Sequence, residues 1–598
     1  MRRIIAFLAL SIVVVDLSPC ISQSSTARPL NSENKGAAKE VNNQLHQLNT
    51  VQIENLAVLA QVWGFLKYHH PAFTSGRRDI DSELFQILPA ILAAKSHATA
   101  QRVLVQWVDS LGDVPRREVP THLPTSGLKL KPDLGWIHDS ALLGSSLCKR
   151  LGWVYRNRIP DQQHYVYIAP APGAGNPLFP GEPDYPNTTF PDSAFQLLAL
   201  FRFWNVIEYW YSYRDAAIGN WDDVLLKLIP EFASAQNKEE YAHACLHAAS
   251  AIHDSHSNYG VPLEFRPPGA DCRLPVNLRL VEGKGVVTGY SADPAGRDSG
   301  LEYGDAILAL DGKPVDKMFA AWSPFYSFSN DTVLSRTMTN LLTNGPCGNV
   351  RVDFDRDGSV HSIESQRLAP SRAGQQNWAH DLTGATFRLL SGQIAYLKLS
   401  SLKREDIGRF ITAAIGTRGL IVDVRNNPQG GLFDLGSHLV RQQTPFAVSS
   451  RADLSNPGAF YLSTPVTIEP KVPYYDGKVI ILVDEETMSH AEFTAMALQA
   501  APSAAVVGSM TAGADGNISK IPLPGGLSVW LSGIGIYYPD GTATQRVGIK
   551  VDVVVRPTLT DIRQGRDPVI EAAIHFIDPD LTIDDAKRLI PVRESVSH

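Results

Sequence analysis

Leu59, Trp63, Tyr68, Asp81, Leu84, Pro89 and Asp113 recur further along the chain as Leu200, Trp204, Tyr209, Asp222, Leu225, Pro230 and Asp254. Every pair has the same offset: 204 − 63 and 254 − 113 both give 141. A gapless match of that span requires a duplicated supersecondary unit. Apolar residues at helical spacing make the unit α-helical: Leu56, Leu59, Trp63 and Leu66 in one copy, Leu197, Leu200, Trp204 and Ile207 in the other. We place the first helical unit, a degenerate repeat, at 45–168 and the second at 190–262. The Pro- and Gly-rich stretch 169–190 connects them. The copies diverge at their ends. The second closes with Ile252-His253-Asp254-Ser255-His256-Ser257, the first with Leu111-Gly112-Asp113-Val114-Pro115. A Ser-His pair present once and missing once is either drift in a loop or a sign that the second copy carries chemistry.

The chain begins Met1-Arg2-Arg3, followed by an apolar run from Ile4 to Val15 broken only by Ser11. That run is too short to span a bilayer and fits the core of a secretory signal peptide, which we place at 1–27. Export to a bacterial periplasm or beyond is the expectation. Pro19 beside Cys20 is a poor fit for acylation, so no lipid anchor is expected there. No later segment reaches membrane-spanning length. With 54 Lys and Arg against 61 Asp and Glu, net charge −7, the chain has no basic surplus to grip nucleic acid. Cys148, Cys245, Cys272 and Cys347 would survive signal cleavage. Cys272 and Cys347 fall in one small domain and can pair in an oxidising compartment, with buried free thiols as the alternative.

From 270 to 368 the chain turns strand-like, with Val286-Val287-Thr288-Gly289-Tyr290, Gly304-Asp305-Ala306-Ile307-Leu308 and the turn signal Asp311-Gly312. Ser299-Gly300-Leu301 through Lys313-Pro314-Val315 resembles a PDZ domain. The resemblance implies capture of an extended peptide by strand addition; the alternative is a spacer that binds nothing. Residues 380–578 alternate strand and helix. Strands are expected at Ile394 to Leu399, Gly419 to Val424, Lys478 to Val483 and Ala504 to Val507, with helices at Asp406 to Thr417 and Phe493 to Gln499. Such alternation implies a central, largely parallel sheet. Residues 579–598 form a tail. The fold class is therefore multidomain α/β: duplicated helical units, a PDZ-like β domain and a C-terminal αβ core.

Ser489 stands between a buried strand and a helix, where N–H groups and the helix dipole favour developing negative charge, although serine there is usually only a cap. Three segments give it context: Asp423-Val424-Arg425-Asn426-Asn427-Pro428-Gln429-Gly430-Gly431, Ser489-His490-Ala491-Glu492, and Ser509-Met510-Thr511-Ala512-Gly513. Together they resemble the serine peptidases that include the C-terminal-processing (tail-specific) proteases and the core of the tricorn protease. The resemblance implies that Ser489 attacks the peptide carbonyl. It places the oxyanion hole on the N–H groups of Gly430 or Gly431 and of His490.

A serine hydroxyl needs a base within hydrogen-bond reach. The tail-specific branch uses a lysine just after the TxG element, where this chain has Ala514, and Lys520 lies too far on. The tricorn-like branch uses a histidine preceded by serine ahead of the PDZ-like module, a place filled by Ser255-His256. Imidazole suits the task. That branch ends its hydrogen-bond chain on a glutamate, where this chain has Gln545. Gln545 as a neutral orienting group, or Asp515, is expected to fill that role. No cofactor and no metal is expected: His243 and His247 have helical ligand spacing but lack the HExxH glutamate. The reading is an exported serine peptidase acting on unfolded or extended polypeptides. The alternatives are a non-catalytic ligand- or peptide-binding protein on the same scaffold, or a partner-binding scaffold. Oligomeric state stays open.

Overall fold

The computed structural model describes residues 42–590 except for 121–122, 169–174, 187–189, 218, 270, 293 and 392. The expected signal peptide 1–27, with Cys20, and the end of the tail at 591–598 lie outside the described residues.

Seven helices longer than ten residues build the described N-terminal part: α1 (Thr50–His69), α2 (Ile80–Leu92), α3 (His97–Ser110), α4 (Ser140–Arg156), α5 (Ser193–Trp210), α6 (Trp221–Ser234) and α7 (Lys238–Ser250). Their starts follow local chemistry. The side chains of Asn49, Ser96, Asp192 and Asn237 accept hydrogen bonds from the first-turn N–H groups of α1, α3, α5 and α7. From Gln196 to Trp210 every residue of α5 is buried, so this helix lies inside the bundle rather than on its surface. The large side chains it buries, Trp210 and Tyr209 among them, contribute roughly 2–3 kcal/mol each. The indole Nε1 of Trp63 donates to Ile80 O at 3.0 Å, and that of Trp204 donates to Trp221 O at 2.9 Å.

Residues 272–368 carry an antiparallel sheet of β1 (Val276–Val281), β2 (Lys284–Tyr290), β3 (Ala306–Leu310), β4 (Gly348–Arg356) and β5 (Ser359–Arg367), ordered β5-β4-β3-β2-β1. Helix α8 (Asp331–Leu341) packs on the edge strand β1. Asp311 and Gly312 both adopt positive φ, 48° and 74°, the left-handed pair that a two-residue hairpin turn requires. Cys272 and Cys347 form a disulfide. Cys148 and Cys245 are free thiols.

The C-terminal part is a sheet of β6 (Phe387–Ser391), β7 (Ile394–Lys398), β8 (Gly419–Asp423), β9 (Lys478–Val483), β10 (Ala504–Gly508) and β13 (Val553–Val554), in that order. Only the β6–β7 pair is antiparallel. Strands β7 and β8 are buried throughout and β9 everywhere but its first residue, as a parallel sheet covered on both faces demands. Helices α9 (Leu432–Ser437) and α10 (His490–Gln499) pack on each other, and α11 (Pro568–Ile577) packs on β9 and β10. The hairpin β11 (Ile518–Leu523) and β12 (Leu527–Ser532) reaches back to α5 and α7. Leu128–Leu130, from the first helical region, pairs with Phe460–Leu462 of the core, so these two regions are stitched together. Among the described residues no helix is long and apolar enough to cross a membrane.

Candidate active site

Helix α10 begins at His490, three residues earlier than the sequence pattern indicates, which leaves Ser489 as its N-cap. Ser489 has φ 54° and ψ −115°, a conformation that side-chain-bearing residues rarely adopt and that must be held in place by surrounding structure. Glu492 does the holding. Its Oε2 accepts the N–H of Ser489 at 3.1 Å and of Ala514 at 3.0 Å, and its Oε1 accepts Gly513 N–H at 2.7 Å and the Thr511 hydroxyl at 2.5 Å. Burial pushes the Glu492 carboxyl up, and these four donors offset part of that rise.

His256 lies on the short turn Ser255–Asn258 that follows α7, capped by Asp254, whose Oδ1 accepts the His256 N–H at 3.0 Å. The middle module fixes this turn. Ser255 and Ser329 exchange backbone-to-hydroxyl bonds at 3.0 Å in both directions, and Ser327 Oγ accepts Asp254 N–H at 2.9 Å. The buried imidazole then meets the nucleophile: His256 Nε2 lies 3.1 Å from Ser489 Oγ. Its Nδ1 lies 2.8 Å from Ser532 Oγ and 3.4 Å from Asp254 Oδ1. Asp254 Oδ2 accepts Ser532 N–H at 2.7 Å and the Tyr211 hydroxyl at 3.3 Å. Burial pushes the Asp254 carboxyl up, but the bonds and charge of His256 and the backbone donors outweigh it and hold the group below the usual carboxylate range. An anion beside Nδ1 keeps the proton on that nitrogen and leaves Nε2 to accept from serine.

The structure thus brings Ser489 and His256 together and places neither Gln545 nor Asp515 on the ring. Both Gln545 amide atoms are buried without a hydrogen-bond partner. The chain there turns inward because Arg546 N–H bonds Gly513 O and Thr544 bonds Ile536 O. Asp515 Oδ1 accepts its neighbour's N–H, from Gly516, while Oδ2 is buried and unpartnered. Ser255 spends its hydroxyl on Ser329. The groups at Nδ1, Asp254 and Ser532, carried no role in the sequence reading. Asp254 was visible as the repeat mate of Asp113 two residues before His256, whereas nothing in the sequence marks Ser532.

Gly430 and Gly431 have φ of 115° and 83°, and helix α9 starts directly after them. Among the described residues, the N–H groups of Gly430, Gly431 and His490 have no acceptor. The loop ahead of Ser489 is gripped from the middle module. Arg279 of β1 bonds Asp484 Oδ2 at 3.0 Å and Glu485 Oε1 at 2.9 Å, and Arg336 of α8 donates to Glu485 O at 2.9 Å. His380, Asp484 and Glu485 are close enough together to hold a metal ion, but the Arg279 guanidinium already pairs with both carboxylates.

Desolvation, reinforced by the charge of Glu492, pushes the buried Asp515 carboxyl far up. A carboxyl raised on folding gives its full stability below its unfolded value, about 3.9, and loses it as pH climbs toward the folded value. Asp515→Asn is therefore expected to raise the thermal midpoint at neutral pH by a few degrees, with the gain shrinking toward pH ~4. Differential scanning calorimetry across that range checks it, and a gain independent of pH would contradict it.

Residues 393–555 match the model of peptidase family S41. A carboxy-terminal-processing protease of Bartonella bacilliformis is 28% identical over 196 residues, which cover 30% of this chain and 42% of that relative. The chain therefore spans less than half the length of the curated relative it matches. Two solved structures share the fold at low identity. The crystal structure of mature CPAF aligns at 15% identity with a TM-score of 0.51, covering 65% of this chain and 99% of that one. The structure of mature CPAF complexed with lactacystin aligns at 14% identity with a TM-score of 0.50, over 65% of this chain and 99% of that one.

Proposed function

Residues 393–555 carry the core of peptidase family S41, a family of serine-type hydrolases, and from that premise we propose that the chain is an exported serine peptidase that cleaves unfolded or extended polypeptides with Ser489 as nucleophile and His256 as base. The observation that carries the proposal is the 3.1 Å contact between Ser489 Oγ and His256 Nε2, made by residues 233 positions apart and contributed by different modules.

In the first step Ser489 Oγ forms a bond to the scissile carbonyl carbon while its proton passes to His256 Nε2. The carbonyl π electrons move onto oxygen, and the unoccupied N–H groups of Gly430 or Gly431 and of His490 receive that oxyanion. The imidazolium is stabilised at Nδ1 by the Asp254 carboxylate and by the Ser532 hydroxyl. As the C–N bond breaks, His256 gives its proton to the leaving amine. Water then attacks the acyl-serine with the ring again as base, releasing the carboxylate product and restoring the serine. Asp254 takes the orienting place that the resemblance gives to Gln545.

The finer organisation belongs to the same proposal. The strand-and-helix edge formed by β1 and α8 supports a PDZ-like module at 270–368 that receives an extended peptide by strand addition. The matching helix limits and indole bonds of the helical units support their duplication. The Cys272–Cys347 disulfide fits an oxidising compartment, in keeping with a cleaved leader at 1–27.

The test is covalent labelling with a fluorophosphonate. The folded protein should label at one serine, and Ser489→Ala should abolish the label. Absence of labelling in the folded wild-type protein would leave a binding protein on a peptidase scaffold.

A further inference from the structure

Helices α2 and α3 start 141 positions before α6 and α7, at Ile80 and Trp221 and at His97 and Lys238. Side-chain bonds repeat at the same offset: Asn55 donates to Ala94 O as Gln196 does to Ala235 O. The two units also meet reciprocally. Gln61 Nε2 bonds Asp222 Oδ1 at 2.8 Å, and its counterpart Arg202 bonds Asp81, the counterpart of Asp222, at 2.8 Å. Tyr68 and Tyr209, counterparts of each other, stack edge to face with centroids 5.2 Å apart. The units therefore face one another across a local pseudo-twofold axis, and each surface on one has a mate on the other.

One pair of mates is filled on one side and open on the other. In the second unit, the surface of α5 and α7 is covered by two stretches of chain, Pro183 to Tyr185 of the connector and Pro522 to Pro524 of the β11–β12 hairpin. Arg202 donates to Pro183 O and Pro522 O, Tyr241 donates to Pro524 O, and the Tyr185 hydroxyl donates to Asp81 Oδ2 at 2.8 Å with its ring against Phe195. In the first unit the mate of this surface, between α1, α3, α4 and α6, is an open cleft of about 430 Å³. Ala100 stands where Tyr241 does, which empties the cleft, and Glu54 stands where Phe195 does.

That last exchange changes the chemistry. The carboxylate of Asp222, mate of the Asp81 that takes the tyrosine hydroxyl, offers Oδ2, which has no partner among the described residues. The ring that would stack a tyrosine is replaced by a second carboxylate, Glu54, whose Oε2 lies 3.1 Å from His97 Nε2. Between the acids lie the aliphatic walls of Val58, Leu142, Leu225 and Leu226. Partial desolvation of Asp222, with Asp133 and Asp223 nearby, pushes its carboxyl up against the opposing bond from Gln61. An aliphatic stem ending in a cation matches all of this.

We propose that the cleft between α1, α3, α4 and α6 binds a polypeptide segment through a lysine or arginine side chain, whose stem lies on the aliphatic walls and whose charge meets Asp222 and Glu54. The second unit supplies the template, because the equivalent surface already takes a stretch of chain whose Tyr185 side chain donates to the equivalent carboxylate.

The test uses the full chain in a Ser489→Ala background, so that nothing is cleaved, and two fluorescent peptides, acetyl-Gly-Pro-Lys-Pro-Gly-amide and its norleucine analogue. Amidation denies a terminal carboxylate to any other peptide site. Fluorescence anisotropy should show the lysine peptide binding at least about tenfold more tightly than the norleucine peptide, with affinity falling as salt rises. Glu54→Gln with Asp222→Asn should erase that difference, and Ala100→Tyr, which fills the cleft, should abolish binding while leaving the far-UV circular dichroism unchanged. Equal binding of the two peptides, no binding, or lysine-peptide binding that survives both variants would overturn the proposal.

Discussion

His256→Ala is expected to lower kcat/KM for an unstructured peptide by about ten-thousandfold, with most of the loss in kcat. Without the ring, Ser489 Oγ loses the one group among the described residues that is placed to take its proton. The substitution also leaves Asp254 buried beside a void, so some loss of stability accompanies the loss of rate. His256→Gln separates the two. It retains a side chain that can bond Ser532 or Asp254 but offers no proton acceptor of imidazole strength, so it should keep the thermal midpoint closer to wild type and remain as inactive. Ser489→Ala should be equally inactive, and combining it with His256→Ala should cost little more, since the two groups act as a unit. Steady-state kinetics on a quenched fluorescent peptide reads all of these. A His256→Ala enzyme that kept more than about a tenth of wild-type activity would remove the ring from the mechanism.

The parts of this molecule that were legible in its sequence are those written in local pattern. The parallel sheet was readable because Val479 to Val483 and Gly419 to Val422 are continuous apolar runs, and both lie in central strands. The turn at Asp311-Gly312 followed from left-handed backbone preference alone. The helix starts at Ile80 and Trp221, and at His97 and Lys238, keep the constant offset that the sequence shows. Ser489 and His256 were nameable only because short motifs surround each of them. What the sequence withheld depends on where distant segments come to rest. Ser532 sits on a strand whose alternation gives no sign that its hydroxyl ends against an imidazole 276 positions away. Gln545 was assigned by alignment with a motif position, yet the bond of Arg546 N–H to Gly513 O turns its amide into the interior instead. The long reach of Arg279 to the loop before Ser489 is likewise a matter of how two modules dock, which periodicity does not encode.

Asp254→Asn should reduce kcat by about a thousandfold or more while leaving KM within a few-fold of wild type. The carboxylate faces donors on both sides. Oδ1 receives the His256 N–H and the charge of Nδ1, and Oδ2 receives the N–H of Ser532 and the Tyr211 hydroxyl. An amide placed there must turn its NH2 toward one of these donors, so one bond is lost whichever way it flips, and the charge that favours a proton on Nδ1 is gone in either case. The same argument fixes the pH dependence of stability. Asp254 has a depressed folded value, so its contribution is fully present above the unfolded value of about 3.9 and is lost as pH falls through the folded one. The thermal destabilisation of Asp254→Asn should therefore be largest near neutrality and diminish in acid, opposite in sign to the effect of Asp515→Asn. Gln545→Ala is the matched control, because its amide has no partner to lose, and its kcat should stay within about twofold of wild type. If Gln545→Ala abolished turnover while Asp254→Asn left it intact, the imidazole would be oriented from the other side, and the route by which Ser489 loses its proton would have to be redrawn around a rearranged ring.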